Sequence, residues 1–193
     1  YTANPKLVSQ AFPIDIISYE EAMELSHFGA KVIYPPTIHP VLKKEIPILI
    51  KNTLLPDDNG TLITTKHSDK EDPVKGISHI ENVTLITLEG SGMVGIPGFS
   101  KRLFETLAVK KINIKLITQA SSEHSICIGI DDDNADLSKK AIDEVFEFEI
   151  LRDKIKPLIV EKHLSIIAIV GDNMKNHQGI SGKMFSTLGK NNV

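Results

Sequence analysis

Apolar residues fall in blocks whose spacing changes along the chain, and the changes mark the elements. Residues 82–88 are an apolar, β-branched run and predict a strand. Residues 97–110 switch to helical spacing, with Phe99, Leu103, Phe104 and Leu107 on one face. Strands are predicted over 113–118 and 125–130, a helix over 135–145 and a last strand over 147–151. The order strand, helix, strand, strand, helix, strand is the split βαβ arrangement of a ferredoxin-like α/β (α+β) fold.

The segment before this is less regular. Residues 18–29 predict a helix: Ser18 can cap it, Glu21 completes a capping box, and Gly29 stops it. Pro35-Pro36 breaks the chain, residues 39–44 predict a short helix, and 48–52 a short strand behind Pro47. Residues 55–73 are rich in Asp, Asn, Gly, Lys and Thr and predict a mobile linker with a brief strand at 61–64.

After residue 155 the pattern starts again, with a strand over 164–170 and a helix over 180–189. Gly90 and Gly171, Met93 and Met174, Gly98 and Gly179, and Ser100 and Ser181 are identical pairs 81 positions apart. Phe104 with Phe185, Thr106 with Thr187 and Leu107 with Leu188 keep the same register. Strand falls on strand and helix on helix, so an internal repeat is predicted. Val193 aligns with Ile112, which makes copy one complete and copy two truncated. A half module leaves strand edges and an apolar helix face to be covered, by the 48–52 strand or by another chain, so a homo-oligomer is expected.

Composition narrows the chemistry. The chain has 193 residues, 41% hydrophobic, with a net charge of −3. That gives no electrostatic reason to expect nucleic acid or an anionic membrane, and no apolar run reaches the ~18 residues of a membrane span. The single cysteine, Cys127, lies in an apolar run and reads as a buried structural thiol in a cytoplasmic setting. The chain begins with Tyr1 rather than Met, which suggests a piece of a longer protein.

Gly90, Gly92 and Gly95 spell G-x-G-x-x-G between a strand and a helix, as in a dinucleotide site. Three features argue against that reading. Pro97-Gly98 falls where the helix of such a site should already run. The strand over 113–118 does not end in the acidic residue that would hold a ribose. Copy two has also lost the glycine pattern. Two readings stand: a flexible strand-to-helix connection, or a cradle for a small anionic ligand such as an amino-acid carboxylate at a helix N-terminus. Gln119, Ser121, Ser122 and Glu123 form a polar cluster that reads either as a hairpin turn or, through Gln119, as a ligand contact. Asp131 to Asp133 read as a helix cap and solvated loop rather than a metal site. The seven His residues show no metal-ligand spacing, and neither a Ser/His/Asp set nor a P-loop is present.

Several stretches resemble the aspartate kinases. ISYEEAMELSHFGAKVIYPPTIHP (17–40) resembles the end of their kinase domain, and YTANPK (1–6) the segment just before it. GSGMVGIPGFSKRLFETL with INIKLITQASSEHSI is similar to their first ACT module, and VGDNMKNHQGISGKMF to their second. The last motif is most similar to the threonine-sensitive bifunctional aspartokinase–homoserine dehydrogenases. The resemblance implies an amino-acid-kinase tail over 1–45 and a strand and linker over 46–79 serving the second ACT module. A first ACT module over 80–155 and half of a second over 156–193 follow.

It further implies a parent that phosphorylates L-aspartate with ATP and Mg²⁺ and is shut down by an end-product amino acid, threonine favoured and lysine possible. The alternative is a dimerisation module with empty loops. The effector loop would fall on Met93, Ile96, Gly98, Phe99 and Ser100, and the facing strand on Ile114, Lys115, Gln119, Ser122 and Glu123. A nucleotide-binding remnant would fall on Tyr1, Lys6, Lys31 and Val32, with Asn4 for the usual Asp and Lys6 for the usual Arg. No metal, cofactor or catalytic residue is expected in these 193 residues, and no kinase activity from them alone.

Overall fold

The computed structural model describes residues 1–30, 33–65, 73–119 and 124–193. In chain order the strands and helices are β1 (Ile16–Ser18), α1 (Tyr19–His27), α2 (His39–Leu42), β2 (Ile48–Ile50), β3 (Thr61–Thr64) and β4 (Gly76–Glu89). They continue with α3 (Phe99–Val109), β5 (Ile114–Gln119), β6 (Ser125–Asp131), α4 (Ala135–Leu151), β7 (Ile159–Val170) and α5 (Ile180–Lys190). These form two compact units, residues 81–166 and residues 1–80 with 167–193.

Residues 81–166 form the ferredoxin-like module. The sheet order is β5-β6-β4-β7, so the first and third strands of the module lie in the middle. β4 pairs with β6 antiparallel, Val83 opposite Asp131 through Glu89 opposite Ser125. Side chains alternate across a strand, which sends Ile86 and Leu88 with Ile126, Ile128 and Ile130 into one buried core. Leu103 and Leu107 of α3 and Ile142 and Phe146 of α4 fill the same core. Each such side chain contributes about 1.5–3 kcal/mol of burial.

One predicted element is wrong. Residues 147–151 are not a strand but the end of α4. Ile142 and Phe146 are buried in the core and Ile150 packs against it, so a stripe of i, i+4 spacing carries the helix through this segment. The fourth strand is β7, whose C-terminal part is also the opening strand of copy two. Cys127 on β6 is half-buried rather than fully buried.

The acidic turn at Asp131 to Asp133 is predicted to cap α4, but the N-cap is Asn134 and no side chain caps the helix; Asp131 and Asp132 have other partners. Asp132 accepts from the Thr84 hydroxyl at 2.6 Å and from the His163 N–H at 3.2 Å, and its carboxylate lies 2.9 Å from His163 Nδ1. The Thr84 hydrogen bond, backed by His163, holds the Asp132 carboxyl below the usual carboxylate range.

In the other unit, β1 pairs parallel and β2 antiparallel with β3 in a three-stranded sheet. The strand predicted over 48–52 therefore joins β3 and does not complete the sheet of copy two. Ile14, Ile17, Tyr19, Leu25, Ile38, Ile63 and Val170 form the core here. Helix α1 begins as its sequence requires: the Ser18 side chain accepts from the Glu21 N–H, and Glu21 accepts from the Ser18 N–H at 3.0 Å. The second oxygen of Glu21 accepts from the Asp172 N–H at 2.9 Å, tying α1 to a loop 151 residues away.

The repeat is visible in the backbone. Helices α3 and α5 occupy the same 81-residue register, each preceded by a glycine at positive φ, Gly98 at 99° and Gly179 at 86°. Asn82 and His163 at 57° and 61°, and Lys111 and Asn192 at 56° and 61°, share that register. The Lys156 N–H donates to Glu89 O at 2.8 Å, and the Lys75 N–H to Val170 O at 2.8 Å. Residues 73–75 thus do for copy two what residues 154–156 do for copy one.

Glu21 is 4% exposed and serves two backbone N–H groups. Glu21→Ala strands both, at about 1–3 kcal/mol each. Urea unfolding is expected to show a loss of at least ~2 kcal/mol; a loss below ~0.5 kcal/mol contradicts the buried-anchor role.

Candidate functional site

The loop between β4 and α3 is shaped by what lies behind it. A Cβ on Gly90 would stand 2.2 Å from the Lys154 carbonyl oxygen, so only glycine fits there. The same oxygen accepts from the Gly92 N–H at 2.9 Å. The loop then turns through Ser91–Met93 and enters α3 at Gly98, where no side chain caps the helix. The first N–H groups of α3 are therefore available to an anion, in the direction the helix dipole favours.

Beneath that end lies a cavity of about 340 Å³, lined by Met93, Gly95, Ile96, Pro97, Gly98, Phe99, Ser100, Gln119 and Ile126. The structure thus brings together Met93, Ile96, Gly98, Phe99, Ser100 and Gln119 of the predicted residues. Met93 and Phe99 are buried, Ser100 is half-buried, and Ile96 and Gln119 are exposed. Gln119 reaches the cavity from the end of β5, the outer strand of the sheet.

Ile114 and Lys115 do not line it. The β5–β6 register shifts between Ile114 and Leu116, which makes Lys115 the extra residue of a bulge. Lys115 pairs with Asp131, and Ile114 packs against the core. Ser122 and Glu123 lie outside the described residues, as do Lys31 and Val32. Tyr1 and Lys6 are exposed, and Asn4 Oδ1 accepts from the Lys6 N–H at 3.1 Å, so the Asn at that position still closes a turn. Sequence reasoning missed Gly95, Pro97 and Ile126 as lining residues. Pro97 and Gly95 lay within the loop already singled out; Ile126 gave no signal beyond a core strand.

A second, smaller cavity of about 140 Å³ lies on the other side of Phe99, lined among others by Arg102, Phe148, Glu149 and Lys154. Arg102 forms an ion pair with Glu149 and donates to Val145 O at 2.6 Å. Its guanidinium sits 4.5 Å from the centre of the Phe146 ring and 5.7 Å from that of Phe99. The Arg102 hydrogen bond holds the Glu149 carboxyl below the usual carboxylate range. Among the described residues, no group of three His, Cys, Asp or Glu could hold a metal ion, and no helix is long and apolar enough to cross a membrane.

A ferredoxin-like module with a glycine loop cupped against the end of its second strand is an ACT domain, and the chain matches the ACT domain family over residues 86–146 and 167–193. It also matches the amino acid kinase family over residues 1–52. Both matches agree with the relatives that the chain resembles over its whole length, which are aspartokinases.

A bifunctional aspartokinase/homoserine dehydrogenase of Haemophilus influenzae is 40% identical over 193 residues, all of this chain and 24% of that protein. The chain thus spans about a quarter of that relative's length. The crystal structure of Clostridium acetobutylicum aspartate kinase superposes with a TM-score of 0.88 at 30% identity, over 100% of this chain and 43% of that one. Escherichia coli aspartokinase III, in complex with lysine and aspartate in its T-state, gives a TM-score of 0.71 at 30% identity, over 89% of this chain and 37% of that one.

Gly98 has φ 99°, and a Cβ added there would find no other atom within 4 Å, so Gly98→Ala meets backbone strain and no clash. Its expected cost is about 1–2 kcal/mol. Gly182, inside α5 and equally open, is expected to show the opposite sign, Gly182→Ala stabilising by about 0.5–1 kcal/mol. Urea unfolding of both variants checks the pair, and equal shifts would contradict the backbone reading.

Proposed function

We propose that this chain is the regulatory segment of an aspartate kinase and that the cavity under α3 binds an end-product amino acid, threonine, for feedback inhibition. The observation that carries this reading is the meeting of the α3 N-terminus with Gln119 across the cavity. The ligand's carboxylate sits on the free N–H groups of α3, where the helix dipole stabilises it. The Gln119 amide, donor and acceptor at once, meets the ligand's ammonium or hydroxyl group. Ile96, Phe99 and Ile126 offer apolar contact to a short side chain.

Threonine is favoured over lysine by charge. None of the nine described lining residues is acidic, so nothing described there would balance a buried ε-ammonium group. In the full-length protein, the amino-acid-kinase part would transfer the γ-phosphoryl group of ATP, with Mg²⁺, to the side-chain carboxylate of L-aspartate. Tyr1, Lys6, Lys31 and Val32 are this segment's contribution to nucleotide binding in that reading.

Calorimetry with threonine, lysine, methionine and isoleucine tests the site. Threonine is expected to release heat and lysine not. Gln119→Ala is expected to weaken threonine binding about tenfold, the cost of one hydrogen bond left unmade. Absence of heat from all four amino acids would sink the effector reading.

The same segment is proposed to assemble as a homo-oligomer. β5 is an outer strand with Leu116 and Ile117 exposed, the kind of edge that adds a partner strand. Sedimentation at rising concentration is expected to show a dimer. A monomer at every concentration tested would remove this part of the proposal and leave the binding site untouched.

A further inference from the structure

We infer that Arg102 and Glu149 form a clamp that positions the ligand-binding loop, so that the affinity of the cavity is set from α4, on the far side of Phe99. The inference rests on the binding reading above and adds the residues that hold its geometry.

Neither Arg102 nor Glu149 lines the larger cavity. Arg102 stands one turn into α3, and its N–H donates to the Gly98 carbonyl at 3.0 Å. Gly98, Phe99 and Ser100, the turn before it, are the α3 end of the cavity wall. The guanidinium reaches back to α4, pairing with Glu149 and donating to the Val145 carbonyl. On the way it covers Phe146, whose ring is stacked on Phe99 at 5.7 Å and 11°. Phe99 is thus fixed from behind by a ring and a cation while its front faces the cavity.

The other end of the loop is held by the same stretch of chain. Past α4, Lys154 O accepts from the Gly92 N–H and the Lys156 N–H donates to Glu89 O. Residues 145–156 therefore grip the loop before and after the turn that forms the cavity. A planar guanidinium suits this place because it can serve a carboxylate and a carbonyl while lying flat on an aromatic ring, which an ammonium group cannot. In copy two the 81-residue register puts Lys183 for Arg102 and Ile180 for Phe99, which removes both the fork and the ring.

Hydrogen exchange on the ligand-free chain tests the clamp without any ligand. In Arg102→Met the amides of Gly92, Met93, Ile96 and Arg102 are expected to exchange at least tenfold faster, with those of β6 unchanged. Arg102→Lys, which keeps the charge and is the gentler substitution, is expected to fall between. Exchange within twofold of the parent chain in both variants overturns the inference.

Calorimetry adds the functional arm. Arg102→Met and Glu149→Gln are each expected to weaken threonine binding about tenfold, and the double variant to be no weaker than either alone. Lys139→Met, which breaks an exposed pair with Asp143 on the same helix, is expected to leave affinity unchanged. Faster exchange without threonine heat in the parent chain would keep the clamp and remove the effector reading. Threonine heat unchanged in folded Arg102→Met would do the reverse.

Discussion

The close approach of two glycines to backbone carbonyls sets the frame on which everything else hangs. A Cβ on Gly90 would stand 2.2 Å from Lys154 O, and one on Gly171 would stand 2.0 Å from Pro73 O. No larger residue permits the chain to leave its strand at that point. Because it does leave there, the following loop lies against the segment that closes the module, and the next helix starts with its N–H groups uncapped. The uncapped helix end, the cavity beneath it and the place of Gln119 opposite follow from that one steric allowance.

The same constraint explains what was legible in the sequence. Positions with forced backbone geometry tolerate few residues, so Gly90 with Gly171 and Gly98 with Gly179 survive in both copies and announce the repeat. The capping box at Ser18 and Glu21 was readable for a similar reason, since its chemistry is local. The ferredoxin-like order followed from periodicity, and the effector loop from resemblance to a family. What escaped depends on contacts far apart in the chain. That residues 147–151 are helix is decided by Phe146 and Ile150 packing against strands, not by their own pattern. The pairing of Lys75 with Val170, and of Glu21 with Asp172, joins residues about a hundred or more positions apart, which no local pattern records. The bulge that makes Lys115 an extra residue in β5 was not readable either, because it changes which side chains share a face without changing the strand's composition.

The two copies repeat more in sequence than they bury in structure. α3 and α5 share length, register and an entering glycine, and their apolar positions correspond: Phe99 with Ile180, Leu103 with Met184, Leu107 with Leu188. Yet Phe99, Leu103 and Leu107 are buried, while no residue of α5 is. A helix period therefore reports a face that can be buried, and the partner decides whether it is. α3 has its partner in α4, through the stacked rings of Phe99 and Phe146 and the cation laid over them. Two of the substitutions in copy two, Ile180 and Lys183, fall on the two α3 residues that make this contact. The copies keep Gly90 with Gly171 and Gly98 with Gly179 at the two ends of the loop, and differ both within the loop and where copy one joins helix to helix. Only copy one carries the aromatic ring and the forked cation that tie its helix to the next one.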